Sequence, residues 1–128
     1  MLDANLCIRV LRNRPAEARE RFKDEADTFA ISTVVLYELL YGAARSDRPH
    51  HQRRLVEEFV SQLTVCDFDW AASSHAADIK AALSAKGQII GPNNLLIAGH
   101  ARSLGIKLIT NNLKEFSRID GLRCEDWL

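Results

Sequence analysis

The stretch Gly91-Pro92-Asn93-Asn94-Leu95-Leu96-Ile97-Ala98-Gly99-His100, continuing to Ile109-Thr110-Asn111-Asn112, limits the fold more than any other part of the chain. It reads as a turn, a helix, a tight loop and a buried strand that ends in polar residues. Pro92 suits the first turn of a helix, where no backbone N–H is needed. Leu95, Leu96, Ile97, Ala98, Ala101 and Leu104 make this helix too apolar for the surface, so much of it is expected to be buried. Gly105 is placed to end it, because glycine enters the left-handed conformation without a Cβ penalty. Ile106 to Ile109 then reads as a short strand. Thr110-Asn111-Asn112 follows its carboxyl end, and ligands gather at that edge in open parallel sheets. Asn94 at a helix start and Asn112 at a strand end are thereby directed toward one place.

The rest of the chain repeats this strand-to-helix rhythm. Met1-Leu2 is the stub of a strand, short for a central position, and Leu6, Cys7, Ile8, Val10 and Leu11 then give an apolar helical face. Pro15 opens a charged amphipathic helix through Glu17, Arg19, Arg21 and Phe22. Thr28 to Ile31 has strand character, and Ser32 or Thr33 can cap the helix that follows, from Val34 to about Ala44. His50 to Leu63 is a further helix with Leu55, Val56, Phe59 and Val60 inward. Thr64 to Phe68 is a strand, and Trp70 to Lys86 a helix ended by Gly87, with Ile79 and Leu83 buried. Alternating strands and helices predict a parallel sheet covered on both faces. There are no repeats, low-complexity tracts or linkers, so the reading is one domain over residues 1–128.

Composition narrows the function classes. Hydrophobic residues at 47% and charged residues at 27% describe an ordinary globular protein. A net charge of +0 advertises no global attraction to nucleic acid, although a local basic stripe is enough for that role. Cys7, Cys66 and Cys124 are odd in number, scattered and without a CxxC pair, which argues against zinc, a redox dithiol or a disulfide framework. The expectation is a reduced, cytoplasmic protein. No apolar run approaches the roughly 20 residues that span a membrane, and Met1-Leu2-Asp3 carries an acid where a signal peptide carries basic residues.

Three acids fall where this topology gathers chemistry. Asp3 follows the first strand, Glu38 lies in the helix after the second, and Glu115 follows the strand ending at Thr110. Carboxylates sharing a pocket repel one another unless cations neutralise them. Mg²⁺ and Mn²⁺ suit such an oxygen-only set, and phosphodiester hydrolysis commonly uses it. Each residue also has a plainer reading. Asp3 can simply cap the first helix. Glu38 is costly to bury in Val-Val-Leu-Tyr-Glu-Leu-Leu-Tyr unless it is paired, but it can also face solvent. Glu115 beside Lys114 reads by itself as surface, and His75 and His100 read as core or hydrogen-bonding residues. Arg9, Arg12, Arg14, Arg19 and Arg21 read either as an RNA-facing stripe or as a solvated helix face. Spacing therefore supports an α/β domain with a candidate metal site. A phosphotransfer domain with Asp3 as nucleophile fits less well, since Asn5 occupies the place of its usual second aspartate.

Several segments carry a resemblance. Met1-Leu2-Asp3-Ala4-Asn5-Leu6-Cys7-Ile8 is similar to the opening of the PIN-domain VapC toxins of bacterial toxin–antitoxin pairs. Tyr37-Glu38-Leu39-Leu40-Tyr41-Gly42 resembles their glutamate-bearing helix, and Ile90 to Arg102 resembles their third motif. Thr110-Asn111-Asn112 with Glu115-Phe116, and the ending Gly121 to Trp127, also match, so the likeness runs along the whole chain in order. It implies a PIN-like three-layer α/β/α sandwich with a central parallel sheet. It also implies a Mg²⁺- or Mn²⁺-dependent endoribonuclease that cuts structured RNA such as tRNA. A VapB antitoxin would silence it by laying an arm across the active-site groove. A homodimer is implied as well, with DNA met only through the antitoxin.

Carried over residue by residue, the resemblance makes Asp3 the first metal ligand and Glu38 the second. Asn94 stands where the family has its third acid, an aspartate, and Glu115 is the fourth acid. Asn112 holds a position that is Asp in many PIN domains, while Asn5 and Thr110 would orient ligands or water. Ala4 replaces the usual Thr or Ser and removes a hydroxyl beside the site. An amide at position 94 can still offer an oxygen to a hard cation but brings no charge, which implies weakened metal binding and catalysis with the fold kept. The alternative is a non-catalytic PIN domain that binds RNA or antitoxin.

Overall fold

The structure, a computed structural model, describes residues 1–12 and 16–126, the side chains of residues 16–19 and 21 excepted. Its strands are very short. β1 (Ala30–Ser32) pairs in parallel with β2 (Thr64–Cys66), and β3 (Leu108–Ile109) pairs in parallel with β4 (Cys124–Glu125). Residues 1–3 join the two pairs. The Leu2 N–H donates to the Ala30 carbonyl at 2.9 Å, while Ile109 N–H donates to Met1 at 2.7 Å and Asp3 N–H to Ile109 at 3.2 Å. The row therefore runs β2, β1, residues 1–3, β3, β4, with Leu2 bridged in parallel to Ile109. Two or three residues suffice in the centre because Leu2, Ile31 and Leu108 are fully buried there.

Helices cover this sheet: α1 (Ala4–Leu11), α2 (Ala16–Glu25), α3 (Thr33–Ala44), α4 (Pro49–Val60), α5 (Trp70–Ala85), α6 (Pro92–Leu104) and the single turn α7 (Leu113–Phe116). The helix starts follow ordinary capping chemistry. Asp3, Ser32 and Asp69 each accept a backbone N–H in the first turn of α1, α3 and α5. Of the two candidates for capping α3, Ser32 does so, and Thr33 instead accepts the Phe68 N–H at 3.1 Å, tying β2 to α3. Pro15, expected to open α2, lies outside the described residues. Phe22 of α2 stacks on Phe29 and Phe59, with ring centroids 5.9 and 4.8 Å away.

α6 is buried through Leu95 and Ile97 to Ala101, and it ends at Gly105 with φ of +66°, as its sequence requires. Leu104 departs from expectation and is exposed, because the last turn of α6 has already left the core. The strand expected from Ile106 is trimmed to Leu108–Ile109, since the chain is still leaving the left-handed turn at Ile106.

Gly99 is where α6 meets α5. A Cβ there would lie 2.6 Å from the Ala76 backbone nitrogen and 2.7 Å from its Cα, so the helices would have to part. Gly99→Ala should cost about 1–3 kcal/mol by overpacking. Gly42→Ala has nothing within 4 Å and should instead stabilise α3 by about 0.5–1 kcal/mol. Paired urea melts of the two variants read the opposite signs, and equal effects would refute the packing account.

Candidate active site

Parallel strands bring the carboxyl ends of residues 1–3, β1 and β3 to one edge of the sheet, and the polar groups collect there. Asp3 is 2% exposed. Its Oδ1 accepts the Leu6 N–H at 2.9 Å, and its Oδ2 accepts the Thr110 hydroxyl. That hydroxyl oxygen also accepts the Asn112 N–H at 2.9 Å. Burial pushes the Asp3 carboxyl above the usual carboxylate range, against the opposing pull of the Thr110 hydroxyl, the Leu6 N–H and Arg9. The capping role of Asp3 and its place in this cluster are thus one arrangement.

Glu38 is half-buried on α3, between exposed Tyr37 and buried Leu39. Its Oε1 accepts the side-chain amide of Asn93 at 2.8 Å. Its Oε2 is buried and has no hydrogen-bond partner among the described residues. An unpartnered buried carboxylate oxygen is costly unless a cation, a water or a proton satisfies it.

Glu115 read in isolation as a surface residue, but here it is half-buried. The one-turn helix α7 aims it back at the start of α6. Oε1 accepts the Gly91 N–H at 3.0 Å and the Asn94 amide at 3.4 Å, and Oε2 accepts the Asn112 amide at 2.8 Å. Burial works against its charge. The Gly91 N–H, the two amides and Arg118 outweigh that, and the carboxyl sits below its usual range.

One line of hydrogen bonds therefore runs from Asp3 through Thr110 and Asn112 to Glu115 and Asn94. Asn93, joined to Asn94 through the backbone, holds Glu38 by a separate hydrogen bond. Asn5 stands outside this line, exposed in the first turn of α1. Asn93 and the Gly91 N–H were not singled out from the sequence. The tandem Asn93-Asn94 at the start of an otherwise apolar helix is the signal that marks them.

Among the arginines, Arg9 donates from Nη2 and Nε to Asn111 at 2.8 and 3.3 Å, beside Thr110, with the Asn111 amide turned so that its oxygen faces the guanidinium. Arg12 lines a groove of about 690 Å³ between α1, α3 and α4, walled by Leu11, Leu39 and Val56 and reaching Glu38. The side chains of Arg14, Arg19 and Arg21 lie outside the described residues. His75 accepts from Arg102 at 2.9 Å, and buried His100 meets the Phe68 ring edge-on, its Nδ1 without a hydrogen-bond partner among the described residues.

The donors at this edge are oxygens, which suits a hard cation, and the orphaned Glu38 Oε2 is an atom such a cation would satisfy. Among the described residues, however, no three acidic, histidine or cysteine side chains form a ready-made cage. Glu115 is turned onto amides, and Asn94 brings no charge. Thr110 matters mechanically to this arrangement. Thr110→Val would strand Asp3 Oδ2 and the Asn112 N–H, costing about 1–3 kcal/mol, whereas Thr110→Ser should be nearly silent in a thermal melt.

The chain belongs to the PIN-domain family, whose model matches residues 1–122. Its relatives include VapC proteins. It is 47% identical over 127 residues to a tRNA(fMet)-specific endonuclease VapC of Shigella flexneri, covering 99% of this chain and 96% of that one. It is 42% identical over 128 residues to ribonuclease VapC2 of Haemophilus influenzae, covering 100% and 97%. A crystal structure of DNA-bound VapBC from Salmonella typhimurium contains a chain that superimposes with a TM-score of 0.95 at 46% identity, covering 100% of this chain and 97% of that one. These likenesses put the chain in the VapC branch and give it the PIN-domain α/β/α fold around a parallel sheet.

Proposed function

We propose that this chain is a toxin-type, Mg²⁺- or Mn²⁺-dependent endoribonuclease acting on structured RNA, tRNA first among candidates, with catalysis weakened at Asn94. The observation supporting it most is the hydrogen-bonded line that joins Asp3, Glu115 and Asn94 at one sheet edge, with Glu38 held beside it by Asn93, the backbone neighbour of Asn94. The names of its relatives, tRNA(fMet)-specific endonuclease and ribonuclease, support RNA as the substrate class.

Asp3, Glu38, Asn94 and Glu115 would hold the cation. When bound, Mg²⁺ or Mn²⁺ supplies positive charge that offsets the negative charge gathering on the phosphate during hydrolysis. The Leu6 N–H and Thr110 fix the Asp3 carboxylate, and Asn93 fixes Glu38. Glu115 is held ionised by its three N–H donors. Arg9, docked on Asn111, meets an RNA phosphate at the rim, where a basic side chain contributes salt-dependent binding.

A VapB-like antitoxin seats an arm in the groove beside α1, α3 and α4, whose apolar walls lead to Glu38. The VapBC assembly solved for the Salmonella relative supports that partner, and DNA is reached through it. A second copy of this chain covers the face of α3 bearing exposed, stacked Tyr37 and Tyr41, aromatic residues typical of protein interfaces. The proposed place of action is the cytoplasm; no described helix is long and apolar enough to cross a membrane.

The test is digestion of total tRNA by this chain and by its Asn94→Asp variant, with Mg²⁺ or Mn²⁺ and again with EDTA. Discrete fragments that EDTA abolishes support the proposal. If neither folded protein cuts tRNA, ribosomal RNA or messenger RNA, the binding-only alternative replaces it.

A further inference from the structure

We infer that Asn93 is a positioning residue, holding Glu38 so that a single carboxylate oxygen, Oε2, faces the cation site; this rests on the metal-dependent reading above. Nδ2 of Asn93 lies 2.8 Å from Glu38 Oε1 across 55 residues of sequence. An N–H on Oε1 takes up one of its lone pairs and draws charge from it, so Oε1 is the less available of the two oxygens. Oε2 is left as the buried oxygen without a partner among the described residues. A glutamate side chain has three rotatable bonds, and α3 by itself does not decide which oxygen turns inward. The amide decides it.

The placement follows from the start of α6. Gly91 caps the helix with no side-chain bond, and Pro92 occupies the first turn. Asn93 and Asn94 are adjacent in that turn, about 100° apart around the axis, so they serve different acids. Asn93 reaches Glu38 on α3, and Asn94 reaches Glu115 on α7. One helical turn thereby sets two carboxylates that lie 77 positions apart in the chain, from Glu38 to Glu115. Partners that orient a metal ligand typically change metal affinity by about 10–100-fold when removed.

The experiment titrates Mn²⁺ by calorimetry into the unaltered chain, Asn93→Leu, Asn93→Ala and Asp3→Asn, with a thermal melt of each in EDTA. Leucine nearly matches asparagine in shape but donates nothing. The expected result is a Kd about 10-fold weaker in both Asn93 variants, with EDTA melts close to that of the unaltered chain. Asp3→Asn should also weaken binding. Unchanged Mn²⁺ affinity in the Asn93 variants, with binding lost in Asp3→Asn, would leave the metal site standing and overturn the role of Asn93. If the unaltered chain binds no Mn²⁺, or Asp3→Asn binds it equally well, the metal-dependent reading falls and this inference falls with it.

Discussion

Asn94→Asp is expected to raise the rate of tRNA cleavage by about 100-fold or more, the scale on which a positioned acid or base acts. Asn94 donates to Glu115 at 3.4 Å, so in the unaltered chain two side chains that would otherwise repel are joined by an N–H. An aspartate there removes the donor and sets two carboxylates against each other. Without a cation that repulsion destabilises the edge of the sheet, and with one it becomes the driving force for binding. The variant should therefore melt below the unaltered chain in EDTA and gain more from Mn²⁺, since a ligand stabilises whatever state it binds. Single-turnover cleavage and paired melts read the two effects. Equal cleavage by both proteins would mean that Asp3, Glu38 and Glu115 suffice and that Asn94 disables nothing.

The second large effect is expected at Asp3, where activity and stability move in opposite directions. Asp3→Asn placed in the Asn94→Asp background should lower cleavage on the order of 10³-fold, as for groups that act as one unit. Asparagine caps a helix as well as aspartate does, so the bond from Leu6 survives. Burial raises the Asp3 carboxyl, which means that its charge costs stability in the cation-free fold. A raised carboxyl contributes stability when protonated and loses it as pH rises through the folded-state value. Asp3→Asn in the unaltered chain should thus melt higher than its parent at neutral pH in EDTA. The difference should vanish in acid below the ordinary carboxylate value. A lower neutral melt would show that the bond from Thr110 outweighs burial.

Much of the fold can be read from residue order because it depends on local rules. Pro92 and Gly105 bound α6, Asp69 and Gly87 bracket α5, and parallel pairing follows from the alternation of elements. The lengths of the strands cannot be read so directly. Ile106 is apolar enough for a strand, yet the left-handed turn before it delays pairing until Leu108. The candidate site divides in the same way. Asp3 and Glu38 stand out because an acid in apolar surroundings is costly. Glu115 does not, since Lys114 beside it makes the segment look solvated. Its partners Gly91 and Asn94 lie 24 and 21 residues away and are reached only through tertiary folding. Asn93 is hidden for the same reason, its acceptor being 55 residues distant.

The central place of residues 1–3 also sets the order in which a ribosome can release a working protein. Chains emerge from the amino end at about 5–20 residues per second, so Asp3 emerges well before its partners. Its flanking strand at Leu108–Ile109 and its hydroxyl partner Thr110 arrive only after more than a hundred further residues. Contacts of such long separation form late, because the loop between them must close first. The nascent chain therefore carries an acid without a pocket until Ile109 and Thr110 have been made. The machinery that makes this chain meets the finished site only when the last strands are in place.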